Sequence, residues 1–365
     1  MAKQRNIMVR ITGMACLFLL AAGFIFTEDA MASGCAPDRS KYEFQKGMCY
    51  ATWTKERYSS QGSDESLKEL AKIGTKWVAI VVNWYQDKCY TTSIFSTPKT
   101  ASDESIIHAI ELAHSLGMKV MLKPHLDVLD SSGGGWRGEI ACVAEPDWDK
   151  WFESYGDFIL HYAQIAQEYN VELYCIGTEL TSVATIKEDL WNSKVIAPVK
   201  AVYKGPLTYA ANWSEEFQHV KFWDKMDYVG IDAYFPLSDK DRPTLEEIKK
   251  GWEPWIKEIE EFQAKVDKPI IFPEVGYCSA TGATKMPWEE VTTGVVDLEL
   301  QADCYRAVFE LLWDKDWFYG VYWWRWGTDV RFGGAQNRGF SLQNKPAEDV
   351  VKKWYTGSAP AKKKY

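Results

Sequence analysis

Two glutamates close apolar runs in this chain. In "YCIGTEL" (174–180) a stretch with no charge ends at Glu179, and in "IIFPEVGY" (270–277) three apolar residues and a proline precede Glu274. A buried strand gains nothing by ending in an ionised group, because desolvating a charge is costly unless the charge is paired or used. Two carboxylates presented in the same way can divide a task. One stays protonated and donates to a leaving oxygen, while the other stays ionised and attacks the anomeric carbon. That division is what hydrolysis of a glycosidic bond uses, with the carboxyls about 5–5.5 Å apart for retention and about 6.5–9.5 Å apart for inversion. The two matched run ends therefore nominate Glu179 and Glu274 as such a pair.

The ends of the other apolar runs carry the same kinds of residue. They are Trp53, Asn83 with Trp84, His125 with Asp127, Asn212 with Trp213, Asp232 with Tyr234, Tyr277 after Glu274, and Trp324 with Trp326. Aromatics, amides and acids gathered in this way suit a sugar, whose ring faces stack on indole and whose hydroxyls need hydrogen-bond partners. These residues are the candidate substrate-binding set. Asp232 is also a third acid whose structural use would be to bind neighbouring loops, and Tyr234 is placed to hydrogen-bond Glu274. In "YWWRWG" (322–327) alternation puts Tyr322, Trp324 and Trp326 on one face and Trp323 toward the helices. Trp151, Trp252 and Trp313, at helical spacing, read as core.

Such residues need strands to present them. Short apolar runs at 46–53, 76–84, 119–127, 171–180, 206–213, 227–235, 268–277 and 319–327 alternate with helical patterns at 64–74, 103–117, 147–170, 187–203, 215–222, 244–266, 297–314 and 346–355. Asp64 is the N-cap candidate of the first helix. Eight strands, each followed by a helix, predict an α/β fold of the (β/α)8 TIM-barrel type in one domain. An open doubly wound sheet is the alternative, but its glycine-rich first turn is missing. The insert at 128–146, containing "SSGGGWRG", would rim the end of the barrel where the catalytic groups sit.

The 365 residues carry a net charge of −9, and the only basic run is "AKKK" at 361–364, so nucleic acid is a poor partner. Lys3, Arg5 and Arg10 precede the apolar segment 11–26, and "AMA" follows at 30–32, the pattern of a signal peptide over 1–32. The expected organisation is a leader (1–32), an N-terminal extension (33–45), the barrel (46–356) and a disordered basic tail (357–365). The protein is then secreted or periplasmic, or held at the cell surface by a lipid on Cys35. Past the leader stand Cys35, Cys49, Cys89, Cys142, Cys175, Cys278 and Cys304, an odd number, with Cys49 and Cys175 inside apolar runs as buried thiols. Cys89 with Cys142 is the preferred disulfide, since both fall in loops after neighbouring strands. The histidines are scattered, with no HxH or CxxC, so no metal site is expected.

From about Gly47 to Tyr355 the ordered set "KGMCYATW", "VVNWYQ", "KPHLD", "IGTEL", "GIDAYFPL", "FPEVGY" and "YWWRWG" resembles the β-mannanases of glycoside hydrolase family 113, in clan A. The resemblance implies a retaining double displacement, with Glu179 as acid/base and Glu274 as nucleophile. It also implies internal cleavage of β-1,4-linked mannan, glucomannan or manno-oligosaccharides without a cofactor. Many clan members have Asn immediately before the acid, to contact the sugar 2-hydroxyl. Thr178 stands there in this chain, which leaves Asn83 or His125 for that role. A clan A enzyme acting on a glucan or galactan, and a non-catalytic carbohydrate-binding barrel, are the alternatives.

Overall fold

In the computed structural model, residues 42–130, 135–142, 144–291 and 293–357 are described. The leader, Cys35 and residues 358–365 of the tail lie outside them. Eight parallel strands close into a barrel in sequence order. They are β1 (Gln45–Tyr50), β2 (Trp77–Gln86), β3 (Lys119–Val128), β4 (Leu173–Thr178), β5 (Leu207–Asn212), β6 (Tyr228–Asp232), β7 (Ile270–Val275) and β8 (Phe318–Trp326). The helices are α1 (Gln61–Lys72), α2 (Asp103–Ser115), α3 (Glu145–Glu168), α4 (Thr181–Ile186), α5 (Glu188–Leu190), α6 (Ala197–Val202), α7 (Glu216–His219), α8 (Leu245–Val266), α9 (Leu298–Leu312) and α10 (Pro346–Tyr355). Tyr42–Tyr365 is one compact unit, and no described helix is long and apolar enough to cross a membrane.

Local chemistry starts the helices where capping allows. Ser60 and Ser102 accept from the Ser63 and Ser105 N–H groups, and Thr244 with Glu247 forms a capping box at the head of α8. The first helix therefore begins ahead of Asp64, which lies in its first turn and meets His108 Nε2 at 2.7 Å. A serine at the chain's entry into the helix displaced the more conspicuous acid as cap.

Strand parity decides what reaches the barrel interior. Cys49, Trp77, Ala79, Met121, Leu173, Cys175, Ala210, Tyr228, Ile271 and Tyr322 form an inner cluster. Along β3 the inward positions run Met121, Lys123, His125 and Asp127, from apolar floor to polar mouth. Outside, Trp151, Trp252 and Trp313 are buried between helices and sheet, as expected of core residues. Below, Phe44 packs on Trp313 at 4.4 Å and Tyr42 on Tyr228 at 5.1 Å, covering the end of the barrel away from the glutamates.

The cysteine expectation divides. Cys49 and Cys175 are buried free thiols. Cys89 and Cys142 are also free, contrary to the expected bridge. Their backbones are adjacent, the Ala141 N–H donating to the Cys89 carbonyl at 2.9 Å, but the thiols diverge. Cys89 Sγ donates to the Trp136 carbonyl at 3.6 Å, while Cys142 is buried in the core.

Candidate active site

Register sets the mouth of the barrel. Asn83 pairs with His125 across β2 and β3, Tyr85 with Asp127, Asn212 with Asp232 across β5 and β6, and Asp232 with Glu274 across β6 and β7. Register shifts on both sides of β7 carry Glu274 into line with these groups. Glu179 follows β4 with φ 51°, a left-handed conformation unusual for a side chain larger than glycine. Its N–H donates to the Ala210 carbonyl at 2.8 Å, and the next N–H, of Leu180, donates to Tyr209 Oη at 2.8 Å. Those two bonds hold the turn that directs the carboxylate into the cleft.

The two glutamates have different surroundings. Glu274 Oε1 bonds to the Lys123 ammonium and lies 3.4 Å from His125 Nε2, while Oε2 accepts from Tyr234 Oη at 2.8 Å. The tyrosine contact is as the sequence suggested. Glu179 Oε1 accepts from Asn212 Nδ2 at 2.8 Å, and Oε2 lies 3.6 Å from Arg137 Nη1. Burial pushes the Glu179 carboxyl up; Arg137 opposes this and Glu274 reinforces it, leaving the pKa above the ordinary carboxylate range. A carboxyl whose pKa is raised by burial stands in the same cleft as one ringed by a cation and two further potential donors.

Two cations complete the cleft, and sequence reasoning missed both. Lys123 is fully buried under Glu274, 3.5 Å from Asp232 Oδ2. Burial lowers its pKa, but Asp232 and Glu274 outweigh that and keep it charged. Asp232 does not bind neighbouring loops as expected. Neither of its carboxylate oxygens makes a hydrogen bond, and burial, reinforced by Glu274 and Glu179, pushes its carboxyl well up despite Lys123. Arg137 arrives from the 128–146 insert on a short 3-10 turn and bonds Asp127, whose other oxygen accepts from Asn83 Nδ2 at 2.6 Å. His125 is held neutral by burial, with Lys123 and Arg137 adding to the effect, and its ring stacks on Trp324 at 6.2 Å, 8° from parallel. Lys123 had a signal, being a charge inside an apolar strand at the parity of His125 and Asp127. Arg137 had none, since nothing in a glycine-rich insert says where it folds.

Of the expected substrate-binding residues, Trp53, Asn83, His125, Asp127, Asn212, Asp232, Tyr234 and Trp324 gather at this mouth. Trp53, Asp127, Arg137, Trp136 and Glu179 line a cavity of about 410 Å³. Trp213 stacks on exposed Trp288 at 5.1 Å, an aromatic platform whose second member the sequence reading did not select.

Three residues face elsewhere. Trp84 follows inward-facing Asn83, so alternation turns it out to α3, where it stacks on Phe158 at 5.1 Å and donates to Tyr162 Oη at 2.9 Å. The larger cavity there, about 590 Å³, contains neither catalytic candidate. Tyr277 is fully buried, near Cys304 and Tyr305 of α9. Trp326 does not share the face of Tyr322 and Trp324. The alternation slips where the register between β1 and β8 shifts, and the Trp326 indole donates to Ser66 of α1. Arg325 lies over the Trp53 ring, 4.7 Å from its centroid.

No group of three or more His, Cys, Asp or Glu suited to a metal ion occurs among the described residues. The arrangement offers one carboxyl raised in pKa by burial, a second carboxyl with three polar groups around it, and aromatic walls. Comparison with known proteins agrees with that chemistry. A GH113 β-mannanase from Alicyclobacillus acidocaldarius, solved in complex with ManMIm, is 30% identical with a TM-score of 0.77, covering 87% of this chain and 99% of its own. A complex structure of a GH113 β-1,4-mannanase has the same identity and TM-score over 86% and 99%. The β-glucuronidase of Ruminococcus gnavus, at 14% identity and a TM-score of 0.58, covers 86% of this chain and 50% of its own, and shares the fold alone. No curated protein sequence matches. The sequence profile of glycoside hydrolase family 113 matches residues 48–345, and the chain is a glycoside hydrolase belonging to that family.

Proposed function

We propose that this hydrolase cleaves β-1,4-mannosidic bonds inside mannan, glucomannan or manno-oligosaccharides, with retention at the anomeric carbon. The single observation that carries the division of labour is the contrast between the two carboxyls. Glu179 is pushed up by burial beside Asn212, and Glu274 is surrounded by Lys123, Tyr234 and His125. Glu274 attacks the anomeric carbon while Glu179 gives its proton to the departing sugar oxygen. Glu179 then takes a proton from the water that releases the glycosyl enzyme. The substrate assignment is supported by the two solved β-mannanases at 30% identity.

Around the reacting sugar, Trp324, Trp53 and Trp213 supply stacking faces. Asn83 Oδ1 is buried without a hydrogen-bond partner among the described residues, and His125 Nε2 has only its 3.4 Å approach to Glu274, which suits both to sugar hydroxyls, the 2-hydroxyl included. Reducing-end release from mannan, glucomannan, xylan, cellulose and galactan, with Glu179→Ala and Glu274→Ala beside the wild type, tests the reading. Cleavage of mannan that both substitutions abolish is the expected result. Turnover confined to glucan or galactan overturns the substrate, and no turnover of any polymer overturns catalysis in favour of a sugar-binding barrel. Export rests on the 1–32 pattern alone. Mass spectrometry of the processed N-terminus distinguishes cleavage after residue 32 from a lipid on Cys35.

A further inference from the structure

Glu216 is a carboxyl that the reaction does not use, yet its partners lead to the proton donor from two sides. It opens α7, just after β5, and is 1% exposed. Its Oε2 accepts from the Asn212 N–H at 2.7 Å and from Thr181 Oγ1 at 2.9 Å. Its Oε1 accepts from Tyr209 Oη at 2.5 Å, and that hydroxyl in turn accepts the Leu180 N–H at 2.8 Å. Asn212 completes the path. Its Oδ1 accepts from the Ser214 N–H at 2.8 Å, which leaves Nδ2 to donate to Glu179 Oε1, also at 2.8 Å. Gly177 makes room for the Tyr209 ring, since a Cβ there would come within 2.8 Å of it.

Glu179 thus has a left-handed backbone tied through Leu180 and Tyr209 to Glu216, and a carboxyl tied through Asn212 to the same residue. We propose that Glu216 is the positioning residue of the proton donor, fixing both the turn that bears Glu179 and the amide that orients its carboxyl. The proposal rests on Glu179 as acid/base. Glu216 never meets the sugar, so its work shows only in the step that needs a well-aimed proton. Burial raises its pKa to about 8; Tyr209, the Asn212 N–H and Thr181 oppose the rise and Glu179 adds to it. Tyr209 and Glu179 are the titratable groups that act on it. Glutamine keeps the Oε2 acceptor for the Asn212 N–H and Thr181 Oγ1 but sets an amide donor where Oε1 accepts from Tyr209 Oη, so it replaces the carboxyl only in part.

The test exploits leaving groups. A 2,4-dinitrophenolate departs without protonation, whereas a sugar alkoxide does not. Glu216→Ala, Glu216→Gln, Tyr209→Phe and Glu179→Ala are compared on β-1,4-mannohexaose and, by the initial burst of phenolate, on 2,4-dinitrophenyl β-mannobioside. Misplacing a catalytic group by about 1 Å costs about 10²-fold. Glu216→Ala is therefore expected to lose about 10²-fold in kcat on the hexasaccharide, with KM and the burst rate little changed. Tyr209→Phe, which keeps its ring and is the safer variant for folding, shows the same split more weakly, and Glu216→Gln, which keeps the acceptor for Asn212 and Thr181, falls between Glu216→Ala and the wild type. If Glu179→Ala shows the split but Glu216→Ala and Tyr209→Phe slow both substrates equally, or neither, the positioning role is overturned and the acid assignment stands. If Glu179→Ala itself lacks the split, the acid assignment falls and takes this proposal with it.

Discussion

Replacing Lys123 with methionine tests the electrostatic floor of the site. The side chain is fully buried, as is that of Asp232, and the Glu274 side chain is 6% exposed. Methionine fills a similar volume but strands two carboxylates against each other without a cation. At an effective dielectric of about 20, the 3.5 Å contact to Asp232 has a gross Coulomb energy of about 5 kcal/mol. Most of this offsets the desolvation of both ions, so the quantity to use is the cost of breaking a buried pair from one side, about 3–5 kcal/mol. Lys123→Met should lower the unfolding free energy by that amount.

Asp232→Asn gives the reasoning its second arm. The Asp232 carboxyl is raised in the fold, so its ionisation works against folding as pH rises past the unfolded value near about 4. Asp232→Asn alone should therefore be close to neutral at pH 7, leaving Lys123 paired with Glu274. Added to Lys123→Met, it removes one stranded charge and should recover about 1–3 kcal/mol, the coupling expected of contacting groups. Guanidinium unfolding followed by tryptophan emission measures all four proteins. A midpoint that falls at unchanged slope reports lost stability rather than altered compactness. A Lys123→Met cost under about 1 kcal/mol, or a double variant no more stable than Lys123→Met, would refute the account.

Arg137 holds the Glu179 carboxyl down against burial, so Arg137→Met should move the alkaline limb of the kcat profile to higher pH; a limb that stays or falls denies Arg137 that influence. Tyr234→Phe removes one hydrogen bond to the Glu274 carboxyl, worth about 1.5–3 kcal/mol, and should lower kcat/KM by about 10–150-fold; a change under threefold contradicts the geometry. Trp84→Phe should leave kcat/KM within about twofold while Trp324→Ala loses about tenfold, since only the second indole faces the cleft. The opposite ranking would mean that the outward assignment of Trp84 is mistaken.

The barrel was legible because its signal is repeated. Eight apolar runs, each followed by a helical pattern, leave few other ways to bury both faces of a parallel sheet. The residues at the run ends were legible as a group but not one by one. Asn83 and Trp84 are neighbours in sequence and lie on opposite sides of β2, because strand alternation sends one to the cleft and the other to α3. Reading run ends without parity takes both. Trp326 fails differently, since alternation itself predicts the wrong face once the register slips between β1 and β8. Arg137 and Glu216 lie outside the strands, and their places depend on loop paths that no periodicity encodes.

The asymmetry between the two glutamates follows from which positions around them carry charge. Both end apolar strands and both are largely removed from water, so what differs is the partners that each carboxyl meets. The inward parity of β3 places Lys123 beneath the mouth in direct contact with Glu274, whereas on Glu179 it is the weakest of the influences, and Tyr234 on the β6 side adds a hydroxyl to the Glu274 carboxyl. Glu179 receives an uncharged amide from β5 and a guanidinium at 3.6 Å that is chiefly engaged with Asp127. A cation placed as closely beneath Glu179 would draw down the carboxyl that has to keep its proton. Removing Lys123 from beside Glu274 would leave that carboxylate facing Asp232. Lys123 and Tyr234 beside Glu274, against Asn212 and an Arg137 engaged with Asp127 beside Glu179, are what set the surroundings of two similar strand ends apart.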